Sequence, residues 1–112
     1  MNCNVTIETQ DIHIGRRIAH SIRASTAGGL PGLQSMAFAH EGNIEIACNV
    51  ESITKEHFDQ YRNQPNAVSV EVIESFGNYC YVSPNTIKNR VQDLARECDI
   101  KTNKQISVRT HT

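Results

Sequence analysis

Two strand-like runs separated by a short polar turn are the feature that most constrains the fold of this chain. In the second run, Asn43–Val50, apolar residues occupy every other position, as expected for a strand with one buried and one exposed face. The first run, residues 33–39, is also strand-like, and residues 40–43 between them contain a glycine. Together these segments predict a β-hairpin.

The residues before the hairpin predict a strand followed by a helix. Residues 4–9 alternate and contain β-branched side chains, which favours a strand. In residues 10–25, three isoleucines recur every four positions and give the helix one apolar face. Gly15 lies inside this helix, where it costs about 1 kcal/mol relative to alanine. We therefore interpret Gly15 as a point of close approach to a neighbouring element.

The second half of the chain predicts a further helix and strand around an insertion. Ser83 followed by Pro84 is a strong helix start, and the helix is expected to end near Asp99. A short helix, capped by Thr54, is expected at residues 54–62. Short strands are expected at residues 68–72, Tyr79–Val82 and 105–109.

Once residues 53–77 are treated as an insertion, the element order is βαββαβ. This order predicts an α+β, ferredoxin-like fold: an antiparallel sheet with two main helices on one face. At 112 residues, the chain has the usual size of one domain, so residues 1–112 are expected to form a single domain.

Composition narrows the classes of function. Eleven Lys and Arg against twelve Asp and Glu give a formal charge of −1, which argues against a dedicated nucleic-acid binder. No stretch approaches membrane-spanning length, and the N-terminus lacks a signal-peptide pattern. The four cysteines contain no C-x-x-C pair, so we expect no zinc site but reduced, buried thiols and a cytoplasmic location.

Three local patterns are candidates for binding. The loop Gly28-Gly29-Leu30-Pro31-Gly32 offers bare backbone N–H groups to a ligand, although a helix end followed by a turn is the favoured interpretation. His40 beside Glu41 forms an imidazole–carboxylate pair, for which an exposed turn is again favoured. The polar side of the first helix attracts anions or is simply solvated, and its basic residues are His13, Arg16, Arg17, His20 and Arg23. No nucleophile, base and oxyanion site are brought together by the sequence.

One long run resembles the formiminotransferase family. It consists of residues 28–38 (GGLPGLQSMAF) followed by residues 40–50 (HEGNIEIACNV). Three further stretches are also similar to that family: the opening residues 2–7 (NCNVTI), the helix segment GRRIA at residues 15–19 and the helix start VSP at residues 82–84. The similarity is to the C-terminal subdomain of the transferase domain of glutamate formiminotransferase and its formiminotransferase-cyclodeaminase-like relatives.

This resemblance implies a function as well as a fold. The family's transferase domain has two related ferredoxin-like subdomains, and tetrahydrofolate lies in a tunnel between them and accepts the formimino group of formiminoglutamate. The chain is therefore expected to be a folate-binding half-domain with tetrahydrofolate as its cofactor. The residues expected to contact that cofactor are Gly28, Gly29, Gly32, His40, Glu41 and Asn49.

The resemblance assigns no catalytic residue to this chain. The family's catalytic histidine lies in the N-terminal subdomain, in a context with no counterpart in this sequence. The basic and aromatic stretch that leads into the family's first strand is also missing, residues 53–77 are longer than is typical, and residues 103–110 replace the family's closing glycine-containing strand.

Two functional hypotheses follow. In the first, the chain binds folate and needs an N-terminal formiminotransferase subdomain to catalyse the transfer. In the second, it is a non-enzymatic ferredoxin-like module that serves dimerisation or regulation, because a sheet face that loses its partner subdomain exposes apolar surface that favours association.

Overall fold

The computed structural model describes residues 1–102 and 108–111 and contains seven strands and three helices within them. The strands are β1 (Asn2–Ile7), β2 (Leu33–His40), β3 (Asn43–Val50), β4 (Ile53–Thr54), β5 (Val72–Glu74), β6 (Tyr79–Val82) and β7 (Val108–His111). The helices are α1 (Ile12–Ile22), α2 (Lys55–Arg62) and α3 (Pro84–Thr102).

Four of the strands form the main sheet, in the order β2-β3-β1-β7. Every neighbouring pair in this sheet is antiparallel. Because β3 lies between β1 and β2, and β1 lies between β3 and β7, the chain builds two interleaved βαβ units around α1 and α3. This arrangement confirms the predicted α+β, ferredoxin-like fold.

The core lies between the main sheet and helices α1 and α3. One face of α1 is buried throughout, as the spacing of its isoleucines predicts. The largest fully buried side chains come from both layers and include Ile7, Ile18, Ile22, Leu30, Leu33, Ile44, Ile46 and Ile87. Since strand residues alternate between faces, every second residue of β1, β2 and β3 points to the other side of the sheet, which neither α1 nor α3 covers.

The hairpin between β2 and β3 closes as predicted. Only Glu41 and Gly42 lie between the two strands, and both have left-handed backbones, with φ of 49° and 79°. Two successive left-handed residues are typical of the type I′ turn, whose twist matches that of the flanking strands. The turn therefore sets the register of the hairpin, in which His40 pairs with Asn43 and Leu33 with Val50.

The inserted segment extends beyond the predicted end at Gly77. Strands β4, β6 and β5 form a second, three-stranded sheet, so Tyr79–Val82 completes the insertion rather than joining the main sheet. Helix α2 lies within this segment and begins after Thr54, whose hydroxyl accepts the His57 N–H at 3.1 Å. The second sheet is joined to the main core through Val82.

Several boundaries differ from those predicted. Helix α1 ends at Ile22 rather than near residue 25, because Arg23 is extended and the Ala24 N–H donates to the Leu33 carbonyl at 2.9 Å. The strand predicted at 68–72 begins only at Val72. Of the strand predicted at 105–109, residues 105–107 lie outside the described residues, and β7 begins at Val108.

Candidate functional site

The uncovered face of the main sheet carries an open pocket of about 580 Å³. The residues that line it come from the three strands β1, β3 and β2, and are Asn2, Asn4, Gln34, Ser35, Met36, Ala47, Cys48 and Asn49. Its volume falls in the range of small-molecule sites. Because this pocket lies on the face opposite α1 and α3, it depends on strand register alone for its shape.

Strand register arranges the pocket in two rows. In the outer row, Asn2 pairs with Asn49, and Asn49 pairs with Gln34. In the next row, Asn4 pairs with Ala47, and Ala47 pairs with Met36. Four carboxamides are thus gathered around a small apolar patch.

Carboxamides suit a planar polar ligand. Each one presents a donor NH₂ and an acceptor oxygen without a charge, so a cluster of them can match a heterocycle that carries donors and acceptors along one edge. Ala47 and the half-exposed Met36 offer apolar contact to the face of such a ring. The chemistry available here is therefore binding and orientation: no acid or base lines the pocket, the Ser35 hydroxyl already donates to the Ala19 carbonyl at 2.6 Å, and Cys48 is buried.

That cysteine is not reactive. Burial raises the pKa of the Cys48 thiol to about 12, and Cys3, directly opposite on β1, adds to the shift. Burial also raises the pKa of Cys3. Thiols in this state stay protonated, and it is the thiolate that acts as a nucleophile. Cys3, Cys48 and Cys80 are free and buried.

The predicted glycine loop lies elsewhere, beside the inserted helix. Gly28, Gly29 and Gly32 line a second pocket of about 310 Å³ that also includes His57 and Tyr61. The Tyr61 hydroxyl already accepts the Val68 N–H at 3.1 Å.

Backbone geometry accounts for all three glycines of the loop. Gly28 and Gly32 have left-handed backbones, which glycine adopts without steric cost. A side chain at Gly29 would overlap the carbonyl of Arg23, and one at Gly32 would overlap the carbonyl of Glu51. The Gly29 N–H is itself engaged with the Thr26 carbonyl at 2.8 Å.

The predicted His40–Glu41 pair lies at the far end of the hairpin from Asn49. The His40 Nε2 is 3.8 Å from the Glu41 carboxylate, and both side chains are exposed. His40 lies six positions along β2 from Gln34, the partner of Asn49, which corresponds to about 20 Å. The structure therefore distributes the six predicted residues over three places, of which only Asn49 lies in the amide-lined pocket.

Sequence reasoning missed Asn2, Asn4, Gln34 and Met36 as pocket residues. A signal was present, because Asn2 and Asn4 flank the buried Cys3 in an alternating pattern that marks the exposed face of a strand. What the pattern lacked was the neighbouring strand, since nothing local indicates that Asn2 lies opposite Asn49.

Two classes of site are absent from the part of the chain that the structure describes. Within it, no group of His, Cys, Asp or Glu side chains is placed to hold a metal ion. None of its helices combines the length and the apolar content that crossing a bilayer requires.

Comparison with known proteins gives one curated relative. Over 96 residues, or 83% of the chain, the sequence is 32% identical to the formiminotransferase cyclodeaminase-like protein of Arabidopsis thaliana. The chain spans 32% of the length of that protein. No family model matches the chain, and no solved structure matches it.

Proposed function

Because the chain is a distant relative of the formiminotransferase family, we propose that it is a folate-binding half-domain. In this role the amide-lined pocket on the uncovered face of the main sheet holds tetrahydrofolate. The observation that carries this assignment is the gathering of Asn2, Asn4, Gln34 and Asn49 around Met36 and Ala47.

The chemistry of a folate fits the two rows of this pocket. Its pterin ring carries amino, amide and ring nitrogen groups along one edge, which the outer row of carboxamides can pair. The ring face would lie on Met36 and Ala47 in the second row. A ligand that extends from there along the strands would pass toward His40, at the far end of the same face.

The other predicted residues take supporting or secondary roles. The Gly32 carbonyl accepts the Glu51 N–H at 2.9 Å, which holds together the strand ends that carry Gln34 and Asn49. Gly28 and Gly29 shape the preceding loop. His40 and Glu41 would contact only the distal part of an extended ligand.

Catalysis of formimino transfer would need a second subdomain. The thiols of Cys3 and Cys48 are kept protonated, and the pocket residues bind without exchanging protons at neutral pH. The face that carries the pocket is uncovered, so an N-terminal formiminotransferase subdomain supplied separately would enclose the ligand against it. This chain would then bind and orient folate, while the partner supplies the reactive group.

Isothermal titration calorimetry with 5-formyltetrahydrofolate tests this function. Titrations of the full chain, alone and mixed with an N-terminal formiminotransferase subdomain, should show binding in at least the mixed sample. Asn49→Ala should weaken it about tenfold because one amide contact is lost. Asn89→Ala, an exposed amide on α3, is the matched control and should leave affinity unchanged. An absence of binding in both samples would rule out the folate role.

An exposed apolar hairpin favours a second candidate function, a non-enzymatic dimerisation or regulatory module. Phe76, at the turn between β5 and β6, is 86% exposed, and Ile73 and Tyr79 nearby are 38% and 46% exposed. Apolar surface of this kind is typical of association sites. Sedimentation equilibrium distinguishes the two candidates, because a strict monomer at high concentration would exclude self-association through this hairpin.

We also propose that the chain acts in the cytoplasm as one domain. The free, buried thiols of Cys3, Cys48 and Cys80 suit a reducing compartment. The core cluster that contains Val82 of β6 together with Ile46 of β3 supports a single folding unit.

A further inference from the structure

Strand β2 is an edge strand of the main sheet, with only β3 beside it. Across a two-residue turn, the flanking pair His40 and Asn43 exchange backbone hydrogen bonds, and alternate residues then point their N–H and C=O groups away from the partner strand. This alternation predicts that the backbone N–H and C=O groups at the outer edge of the sheet belong to Leu33, Ser35, Ala37 and Ala39.

The chain itself covers the first half of this edge. The Leu33 carbonyl accepts the Ala24 N–H at 2.9 Å, and the Ser35 carbonyl accepts the Arg23 Nε–H at 2.9 Å. These two contacts also confirm the outward direction of the alternate residues. An edge blocked in this way does not add another strand.

The second half of the edge is open. Within the described residues, the backbone groups of Ala37 and Ala39 that point outward have no hydrogen-bond partner. Their small side chains leave the approach to these groups unobstructed. Two N–H donors and two carbonyl acceptors are thus available to a strand laid alongside.

A row of basic side chains runs beside this edge. Its members His13, Arg16 and His20 lie on one face of α1, because they are spaced by three and four residues, and Arg23 directly follows the helix. Arg23 contacts the edge directly. Further along the row, the backbone of α1 approaches the open half, because a Cβ at Gly15, the residue before Arg16, would lie 3.2 Å from the Ala37 Cβ.

Among the described residues, no ion pair is found for Arg16, His20 or Arg23. The ion pairs found there join His40 to Glu41, Lys55 to Glu74, Arg62 to Asp59 and Arg96 to Asp93. Asp11 caps the start of α1 by accepting the His13 backbone N–H at 2.9 Å. Arg16 is exposed, so its positive charge faces solvent, whereas Arg23 is engaged with the Ser35 carbonyl in the covered half of the edge.

The two sides of β2 differ in character. Ala37 and Ala39 share the side of the helix and its basic row, whereas Met36 and Phe38 lie on the opposite, open face, where Met36 is 59% exposed. A strand added to this edge would alternate between the same two environments. Acidic residues of the added strand fit the side of the helix and its basic row, and apolar residues fit the open face beside Met36.

From this combination we propose that the Ala37–Ala39 edge of β2 binds an extended acidic peptide segment as an added strand. Its acidic side chains lie toward Arg16 and His20, and the alternating apolar side chains lie beside Met36 and Phe38. A second copy of this chain is disfavoured as the occupant, because pairing two β2 edges would bring two basic rows together.

Fluorescence anisotropy with labelled synthetic peptides tests this site. The probe is the end-blocked peptide EVEFEVE, titrated with the full chain at about 0.1 M salt. A second peptide carries N-methyl groups on its two central glutamates, which keeps the charge but removes two backbone donors. The first peptide should bind, and N-methylation should weaken binding by about tenfold or more.

Two charge reversals on the same helix separate a specific contact from general attraction. Arg16→Glu should weaken binding of the probe by about tenfold or more, because it places a like charge beside the acidic side chains. Arg17→Glu changes the net charge equally but lies in the groove between α1 and α3, beside Glu97. It should change affinity by less than about threefold.

Three results would overturn the proposal. Equal losses in the two variants would show attraction by net charge alone. Equal affinity for the methylated peptide would exclude strand addition. Stronger competition by a single-stranded RNA than by unlabelled EVEFEVE would identify the basic row as a nucleic-acid surface instead.

Discussion

Gly15 of α1 lies directly against Ile44 of β3. A Cβ at position 15 would overlap the Cγ2 methyl of Ile44 and lie 3.2 Å from the Ala37 Cβ. The missing side chain thus sets how closely the helix approaches the sheet. This confirms the sequence-based interpretation of Gly15 as a point of close approach.

Gly15→Ala should therefore destabilise the protein, although alanine is the better helix former. Overpacking against a buried side chain costs about 1–3 kcal/mol, which exceeds the gain in helix propensity of about 1 kcal/mol. Chemical denaturation measures the difference. In an Ile44→Ala background, where the overlapping methyl is absent, the same substitution should be neutral or stabilising. Equal costs in the two backgrounds would contradict this contact.

Thr86 joins the start of α3 to the segment before β5. Its hydroxyl accepts the Glu71 N–H at 2.9 Å, donates to the Glu71 carbonyl at 3.2 Å and accepts from the Ser83 hydroxyl at 3.0 Å. Thr86→Val keeps the shape but removes all three bonds, so the free energy of unfolding should fall by about 2–3 kcal/mol.

Asn85→Ala is the matched control for Thr86→Val. It is an exposed position in the same turn and should change stability by less than about 0.5 kcal/mol. Denaturant titrations of the two variants give the comparison. A loss for Thr86→Val no larger than that for Asn85→Ala would mean that these bonds contribute nothing.

Two glycines with left-handed backbones, Gly32 and Gly42, allow the cost of backbone strain to be compared with the cost of close packing. Gly42 has φ of 79° and nothing within 4 Å of its Cβ position, whereas at Gly32, with φ of 74°, a Cβ would overlap the Glu51 carbonyl. Gly42→Ala should cost about 1–2 kcal/mol from strain alone. Gly32→Ala should cost more, because the Glu51 backbone must also move. Thermal unfolding of both variants checks the order, and a reversed order would contradict it.

The stability of the protein should fall at alkaline pH through Cys48. Its thiol pKa rises on folding from 9.0 to about 12, so above pH 9 the unfolded chain loses this proton while the folded chain keeps it. The free energy of unfolding should decrease from pH 9 toward pH 12, by up to about 1.4 kcal/mol per unit.

Substitution of Cys48 isolates its share of that pH dependence. Cys48→Ala should show a shallower decrease above pH 9 in urea titrations repeated at several pH values, even though the cavity it leaves lowers stability at every pH. Parallel curves for the two proteins would show that Cys48 does not titrate in the expected range.

The hairpin and the start of α3 were predictable because their signals are local. Glu41 and Gly42 adopt the backbone that a two-residue turn requires, and the Ser83 hydroxyl accepts the Thr86 N–H at 3.1 Å as an N-cap should. Strand β6 was harder to assign, because its short run is compatible with either sheet. Its pairing with Ile53 and Val72 is a long-range choice.

The candidate site was likewise predictable only where its signals are local. The alternation of Asn49 with buried neighbours marks it as a residue of the exposed face, and the resemblance to formiminotransferases predicts that it contacts the cofactor. The three other carboxamides of the pocket belong to β1 and β2. The predicted hairpin makes β2 a neighbour of β3, but no local pattern predicts that β1 lies on the other side of β3.

The sequence by itself determined the main helices and strands and which side of each is buried, because the spacing of apolar residues indicates the buried face of a segment. Apart from the predicted β2–β3 hairpin, only the tertiary structure decided which strands are neighbours. That choice depends on how whole faces pack against α1 and α3, and it alone brings Asn2, Gln34 and Asn49 into one row and leaves the Ala37–Ala39 edge beside the basic face of α1.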